Sequence, residues 1–363
     1  MSEFVVPCVR IGAITKHPNA DTLSITEVEG QPVVFRTGDF KEGDLAIYIP
    51  VEAVIPENEP WVKNHLSFLE FKSGKHRVKA KKLRGVFSMG ILIGPRVETG
   101  DSVWGSFLQA LEGSVRLAEA LKITKYEEPE EFVPEPKEPP TFWERLAWRV
   151  RRFLGLPQKR RKAQPRPFPV YDLDNFRKYH GLFEPGELVE VTEKIHGTNF
   201  VFGRVGKKGE LVVSSHKVIR KEDNSVYWRA VRELKLDKAL PLGLAFYAEI
   251  YGNGVQDLAY DTRLGMKVFD VYDTVNKCWL SLRDRNEAVW EAGLSLVPEM
   301  YLGSFNKAFI ESLQNGKTNL GRGSHIREGV VVRRVHETLD KPRLVLKLVG
   351  SDYLLRKGGT ERH

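Results

Sequence analysis

The feature that most constrains the fold of this 363-residue chain is a central segment that cannot enter a hydrophobic core. Residues 127–140, EEPEEFVPEPKEPP, contain six Glu and five Pro. Because proline lacks a backbone donor and carboxylates resist burial, this segment is expected to stay extended. Residues 141–170 follow with nine Lys or Arg and one Glu, which equals the whole net charge of +8. The sequence therefore predicts two folded regions joined by a charged connector.

The connector is assigned to residues 106–168 and includes two helical patterns. Apolar residues recur every three or four positions over 105–122, which predicts an amphipathic helix. Thr141 and Glu144 have the capping-box spacing, so a short basic helix is expected after them. That helix could dock on its own protein, on RNA or on a membrane surface, and a solvated basic linker is the simpler alternative.

The two flanking regions have different patterns. Residues 1–105 contain short alternating runs separated by turn signals, such as LSITEVEGQPVVFR at 23–36, and an OB-like β-barrel matches their length. Residues 169–363 mix strand-like runs with helical patterns near 225–238, 283–292 and 305–314. Short turns between the runs favour antiparallel sheets with flanking helices. The predicted class is therefore α+β.

Composition excludes several other classes of protein. Hydrophobic residues make up 41% and charged residues 29%, which is ordinary for a globular chain. No apolar run approaches the roughly 18 residues that a membrane span needs. Cys8 and Cys278 lack CxxC spacing, which argues against a disulfide framework or a Cys-rich zinc site. With no secretion signal visible, a cytoplasmic location is expected.

One lysine stands out as a candidate nucleophile. In VTEKIHGTN, residues 191–199, a strand-like run leads through Lys194 into a glycine turn. A lysine attacks only as the neutral amine, so such a site must disfavour its proton, and the alternative is a surface lysine at a strand end. Later strand-like runs carry further polar or aromatic side chains, namely Glu249, Phe269, Glu328 and Lys347. Because unpaired charges inside strands are costly, these residues predict a shared polar site.

The motifs as a set resemble those of the covalent nucleotidyltransferases, which include DNA ligases, RNA ligases and mRNA capping enzymes. KIHGTN at 194–199 is similar to motif I, and SSHK at 214–217 is similar to motif Ia. The runs around Glu249, Phe269, Glu328 and Lys347 follow in the order of motifs III, IIIa, IV and V. An OB-like module ahead of motif I, a His within motif I and only 16 residues after Lys347 resemble the Deinococcus radiodurans type of RNA ligase.

This resemblance implies an ATP-dependent RNA ligase that seals 3′-OH and 5′-phosphate ends, at nicks in a duplex. Lys194 is implied as the nucleophile that forms lysyl-AMP, before AMP passes to the RNA 5′ end. Glu328 is implied as a ligand of Mg²⁺ or Mn²⁺ through water, and Lys347 as a contact of the α-phosphate. In the nucleotide site, Glu249 is implied for the ribose hydroxyls and Phe269 for stacking on adenine.

Other residues of the resemblance are less direct matches. Glu193 and Asn199 flank the nucleophile, and Glu193 is a candidate for reading the adenine amino group. His196 stands where many ligases have Asp; it could accept a hydrogen bond from metal-bound water or be structural. Only Lys347 matches the usual K-x-K of motif V, with Lys357 as a candidate for the second charge.

Two groups of residues are candidates for binding RNA. Near motif Ia these are His216, Lys217 and Arg220. In the N-terminal module the basic run HRVKAKKLRG, residues 76–85, offers Lys79, Lys81 and Lys82. Basic residues on an edge strand also guard against aggregation, which is the alternative reading of that run. Another short motif, HPNAD at 17–21, resembles the tRNA-binding OB domains found beside aminoacyl-tRNA synthetases.

Other functions stay open at this point. A DNA ligase or a capping guanylyltransferase would use the same lysine chemistry, although both carry an OB domain after motif V. An inactive relative that only binds nucleic acid would form no covalent AMP. RNA ends are the expected partner, with no membrane and no obligate protein partner.

Overall fold

The computed structural model describes residues 4–66, 69, 71, 75–94, 117–126, 166–206, 208–237, 240–323 and 325–356. The chain forms two compact units. The first combines residues 1–127, 172–195 and 298–360, and the second combines 128–171, 196–297 and 361–363. The predicted basic helix after Thr141 and the candidate Lys357 lie outside the described residues. The same holds for the part of the amphipathic helix predicted over 105–122 that comes before residue 117. The predicted domain boundaries stay predictions. Within the described ranges, no helix is long and apolar enough to cross a membrane.

The N-terminal module of the first unit is built from short antiparallel strands. Its strands β1 to β11 are Cys8–Arg10, Thr15–Lys16, Leu23–Val28, Gln31–Arg36, Leu45–Ile49, Ala53–Pro56, Lys75–Arg77, Lys81–Leu83, Val86–Ser88, Ile91–Ile93 and Thr124–Lys125, and its helices α1 and α2 are Pro60–His65 and Leu117–Ala120. The sheets have the orders β1-β5-β10, β2-β3-β4 and β11-β6-β7, and β8 pairs with β9 as a hairpin. The predicted β-structure of this region is confirmed.

The burial pattern along the strands of this module explains how it forms a hydrophobic core. In β3 every second residue is buried, and the apolar strand β5 is buried along most of its length. Ile47, Ile49, Ile55 and Leu66 are fully buried in one cluster with residues of α2. The basic run at 76–85 is divided between β7 and β8, and the chain reverses at Arg84 and Gly85 to form β9.

The remaining described elements form two larger sheets with flanking helices. In chain order they are β12 (Asp174–Asn175), α3 (Phe176–Tyr179), a 3-10 turn (His180–Leu182), β13 (Leu188–Lys194), β14 (Thr198–Val205), β15 (Glu210–Ser214), β16 (Ile219–Arg220), α4 (Val226–Glu233), β17 (Leu244–Tyr251), β18 (Gly265–Asp273), β19 (Cys278–Trp279), α5 (Leu282–Glu291), β20 (Glu299–Ser304), α6 (Lys307–Ser312), β21 (Gly329–Arg334), β22 (Val345–Val349) and α7 (Ser351–Leu354). Helices α4, α5 and α6 confirm the three helical patterns predicted beyond residue 169.

Each sheet belongs to one unit. In the first unit the order is β12-β22-β21-β13-β20, and only the β12–β22 pair is parallel. In the second unit the order is β16-β15-β14-β17-β18-β19, and every pair is antiparallel. These sheets with their few helices confirm the α+β class.

The core of the second unit depends on stacked aromatic rings, which gives a first testable prediction. Phe202 is fully buried, with ring centroids 4.7 Å from Phe200 and 5.7 Å from Phe246. Phe202→Ala is expected to lower the free energy of unfolding by about 3–5 kcal/mol, because the vacated space cannot fully collapse. Denaturant unfolding measures this, and Trp290→Ala, at a side chain that is 79% exposed, is the control. Equal losses in both variants would contradict this view of the core.

Candidate active site

Strand β13 sends alternate side chains to opposite faces of the first-unit sheet. Val189 and Val191 face the apolar cluster that also contains Val330 and Val332 of β21. Glu193 pairs with Val330 and follows the same alternation, so it is buried on the core face. Lys194 pairs with Gly329 and therefore belongs to the other face. The strand register thus separates the two neighbouring charged residues.

Lys194 and Glu328, the residue directly before β21, form an ion pair. Their Nζ and Oε1 atoms are 2.6 Å apart, and the Glu328 side chain is 1% exposed, compared with 16% for Lys194. Gly329 allows the close strand approach beside them, because a Cβ there would lie 2.1 Å from the Leu348 carbonyl oxygen. A hydrogen bond of 2.8 Å from the Gly350 amide to the Glu328 carbonyl fixes the backbone. The predicted nucleophile and the predicted metal ligand are therefore in direct contact.

Lys347 lies on the same face as Lys194. It pairs with Val331 of β21, next to the Lys194–Gly329 position in the ladder. Desolvation is the main cause that lowers the pKa of Lys347, and the nearby cations Lys194 and Lys125 lower it further. Glu52 of the N-terminal module and Glu328 act in the opposite direction. In the part of the chain that the structure describes, no carboxylate forms an ion pair with Lys347, which suits it to an anion such as phosphate.

Glu193 has two partners that its sequence context did not indicate. Thr318 donates a hydroxyl hydrogen bond to one carboxylate oxygen, and the Asn319 amide donates to the other at 2.7 Å. Burial raises the pKa of Glu193, while these two donors and the charge of Arg327 oppose the rise. The suggested reading of adenine by this side chain stays a prediction.

The second unit brings together the residues predicted for the nucleoside. Asn199 of β14 lies directly opposite Glu249 of β17, and Lys267 of β18 is the next residue across. The buried side-chain oxygen of Asn199 accepts no hydrogen bond from any described residue. Because buried polar atoms normally have partners, this oxygen fits a ligand donor.

Phe269 sits where β18 bulges against β17. The register shifts between Tyr247 and Ala248, so Phe269 has no directly opposed residue. Its ring is half-buried and packs edge-on against Tyr171, with centroids 5.0 Å apart. A partly exposed ring at a bulge agrees with both stacking and core packing, so its role also stays a prediction.

His196 is fully buried and paired with a carboxylate. Its Nε2 lies 2.6 Å from Asp257 Oδ1, and the Asp257 side chain is 23% exposed. The His196 amide donates to the Tyr260 hydroxyl at 2.8 Å, and Gln256 donates to the Gly197 carbonyl at 2.8 Å. Sequence reasoning missed these partners, because the stretch GNGVQDLAY carries no periodic or spacing signal.

The candidate RNA-binding residues of the second unit have structural contacts of their own. His216 lies with its Nε2 3.2 Å from the Tyr171 carbonyl, and its own carbonyl accepts from Arg166 at 2.6 Å. Arg220 is half-buried, with its guanidinium 5.2 Å from the Tyr227 ring centre, whereas Lys217 is exposed. In the N-terminal module, Lys79, Lys81 and Lys82 are all exposed.

The residues fit a divalent cation that is bound together with a nucleotide. Among the described residues, no three His, Cys, Asp or Glu side chains converge as a ligand set. Mg²⁺ typically uses one or two carboxylates and completes its shell with water and phosphate oxygens. Glu328 is a buried carboxylate beside two lysines that suit phosphate, so the donor set agrees with such an ion.

Comparison with known proteins identifies the class of fold. Residues 187–349 match the family model described as RNA ligase, and residues 5–95 match the one described as PHA02142 OB-fold domain. The fold is therefore an N-terminal OB-fold domain followed by a nucleotidyltransferase domain, as expected. No curated protein gives a match.

Solved structures extend this likeness to nearly the whole chain. An apo variant of Naegleria gruberi RNA ligase gives a TM-score of 0.73 at 20% identity, covering 96% of this chain and 97% of that chain. A variant of the same ligase with ATP and Mn gives 0.71 at 21% identity, with coverage of 96% and 98%. The ligase with PPi gives 0.72 at 20% identity, with coverage of 96% and 97%. Both comparisons therefore agree that residues 187–349 are similar to RNA ligases in fold.

The desolvated Lys347 yields a prediction about stability and pH. Lys347→Met is expected to raise the free energy of unfolding at pH 7 by on the order of 1 kcal/mol, because it removes a cation with no ion-pair partner among the described residues. Between its lowered pKa and the ordinary value of 10.5, the unfolded chain binds more protons at this residue than the folded protein. As the pH rises through that range, the free energy of unfolding of the wild type therefore increases relative to that of Lys347→Met.

Denaturant unfolding from pH 7 to 10 measures this difference, with exposed Lys277→Met as the control. A destabilised Lys347→Met protein would contradict the prediction, as would a difference that does not change with pH.

Proposed function

We propose that this protein is an ATP-dependent RNA ligase that seals 3′-OH and 5′-phosphate ends through a lysyl-AMP intermediate. The contact between Lys194 and the buried Glu328, inside the region that matches the RNA ligase family model, is the observation that carries the proposal. Nicked duplex RNA is the proposed substrate, in line with the resemblance to the Deinococcus type. Cys8 and Cys278 form no disulfide, which supports a reducing cytoplasm.

In the first step, the Lys194 amine attacks the α-phosphorus of ATP. An N–P bond forms while the bond between the α-phosphorus and the pyrophosphate oxygen breaks. Pyrophosphate leaves, and the nitrogen releases one proton to solvent and keeps the other. Glu328 forms an ion pair with the lysine and thereby fixes the position of Nζ. Lys347 compensates charge on the α-phosphate oxygens, since none of the ion pairs among the described residues involves its ammonium group. A divalent ion held beside Glu328 supplies further positive charge when it is bound.

Residues of the second unit bind the nucleoside in this proposal. Glu249 accepts hydrogen bonds from the ribose hydroxyls, and Asn199 supplies the unpartnered oxygen described above. Phe269 stacks on adenine, in line with its half-buried side chain at the β18 bulge. Glu193 orders the strand beside the nucleophile through Thr318 and Asn319.

Two further transfers complete the reaction. The RNA 5′-phosphate takes AMP from Lys194, and the 3′-OH then displaces AMP to form the phosphodiester bond. Both are in-line displacements at phosphorus, which depend on positioning and positive charge more than on proton transfer. His216, Lys217 and Arg220 are the proposed RNA contacts in the second unit.

The first step can be tested without RNA. Wild-type protein, washed with pyrophosphate and then given α-labelled ATP and Mg²⁺, is expected to retain label on a denaturing gel. Lys194→Ala and Lys194→Arg are expected to retain none, because neither offers a neutral amine. Lys277→Ala, at an exposed lysine, is the matched control and should label normally.

The alternatives predict other outcomes of the same assay. Label from GTP instead of ATP would favour a capping enzyme, and sealing of DNA nicks alone would favour a DNA ligase. Absence of label after the wash would contradict the ligase proposal and favour a protein that only binds nucleic acid.

The buried His196–Asp257 pair leads to a second prediction. We infer that Asp257 supplies the negative charge that motif I usually carries at the His196 position. Asp257→Asn is then expected to slow single-turnover lysyl-AMP formation by about 10- to 100-fold, as for partners that orient a ligand residue. In a His196→Asp background, Asp257→Asn should slow lysyl-AMP formation little. There the two neighbouring carboxylates would repel each other, and the substitution removes that repulsion.

Quench-flow labelling of the four proteins gives the double-mutant cycle. Equal losses in both backgrounds would show that Asp257 acts independently of His196.

A further inference from the structure

The HPNAD motif lies against the basic hairpin of the N-terminal module. His17 is 2% exposed, and its Nε2 is 3.0 Å from the Leu83 carbonyl oxygen at the end of β8. The Asn19 amide donates to His17 Nδ1 at 3.1 Å. Since an amide can only donate and a carbonyl can only accept, the His17 proton must be on Nε2. The ring thus forms a fixed bridge between the motif and the hairpin.

Asn19 holds the tip of the same hairpin. Its side-chain Nδ2 donates to the Arg84 carbonyl at 3.0 Å. A Cβ on Gly85 would come within 3.1 Å of this nitrogen, so the amide covers the turn closely. The motif therefore contacts three successive residues, Leu83, Arg84 and Gly85.

The turn at the tip contains a residue that is unfavourable there. Arg84 has φ +42° and Gly85 has φ +95°, so both central residues of the two-residue turn are left-handed. Asn-Gly or Gly-Gly suits such a turn, whereas an arginine in this conformation is strained. Strained residues persist where surrounding contacts enforce them, and they concentrate at functional positions.

The hairpin carries positive charge that the described structure does not compensate. Lys79, Lys81, Lys82 and Arg84 are all exposed. None of the ion pairs formed by described residues involves any of these four side chains. Lys82 also lies opposite the half-buried ring of Phe87, which places an aromatic face beside the charges. A surface of this composition suits a phosphodiester backbone.

We propose that His17 and Asn19 are positioning residues, which hold the β8–β9 hairpin as an arm that grips the backbone of duplex RNA. An isolated two-stranded hairpin is only marginally stable in water, so such an arm needs external support. Ser88 supports its other strand by accepting from the Val34 amide at 2.9 Å. This inference rests on the proposed RNA substrate, but it concerns binding and needs no adenylylation.

The test measures binding of the full-length, pyrophosphate-washed protein to a nicked RNA duplex over a range of salt concentrations. The slope of log K against log salt counts the phosphates contacted. Lys81→Ala is expected to reduce the magnitude of this slope by about one unit. Asn19→Ala carries no charge change, yet it should reduce the slope by about two units, because the displaced arm loses several contacts together.

Two further variants separate positioning from general stability. His17→Gln keeps a donor for the Leu83 carbonyl and should keep most of the wild-type salt slope. His17→Leu removes this donor and should reduce the slope as Asn19→Ala does. In an Arg84→Asn background, Asn-Gly forms the turn without strain, so Asn19→Ala should have a smaller effect there. ATP labelling of Lys194 should be normal in Asn19→Ala.

Several results would overturn the inference. These are an unchanged salt slope in Asn19→Ala, an equal effect of Asn19→Ala in both Arg84 backgrounds, and failure of the wild-type protein to bind duplex RNA. Loss of label in the wild type would instead contradict the proposed ligase activity, so the two failures are distinguishable.

Discussion

The candidate chemistry depends on one ion pair, between Lys194 and Glu328. Lys194 is the last residue of β13 and Glu328 directly precedes β21, and both strands contribute valines to an apolar core. The sheet therefore fixes the position of the pair. A one-residue slip of β13 would put Glu193 in place of Lys194 and bury the lysine. The valines of β13 and β21 prevent that slip, because it would expose them. The register of β13 therefore determines both the packing of the core and the position of the candidate nucleophile.

Much of this arrangement could be predicted from the sequence, and the reason is local periodicity. Strands, the helices near 225–238, 283–292 and 305–314, and the α+β class all follow from patterns within about ten residues. The motif order identified Lys194 and Glu328, which the structure places in contact. It also identified Asn199 and Glu249, which lie opposite each other across β14 and β17. Their chemical roles are proposals that the experiments above address.

The partners of these residues could not be predicted, because they come from distant irregular segments. Asp257 reaches His196 across 61 positions, and Thr318 reaches Glu193 across 125 positions. Such contacts depend on the tertiary fold and leave no periodic signal in either segment. The same holds for His17, whose motif resembled an RNA-binding signature but whose ring contacts the backbone of Leu83. Sequence reasoning found the motif, and only the structure indicates what its side chains hold.

The N-terminal module also has an electrostatic connection to the sheet that carries Lys194 and Lys347. Within the first unit, Lys178 pairs with Glu29 at 2.7 Å, and Gly30 has no Cβ to press on the Arg177 carbonyl, which would lie 3.0 Å away. Glu52 and Lys125 of the module act on the pKa of Lys347. The module is therefore not electrostatically independent of the sheet that carries Lys347. A chimaera with a foreign N-terminal domain would change the charges around this lysine, which we propose to contact phosphate, so an exchange made to alter RNA binding would be expected to alter adenylylation as well.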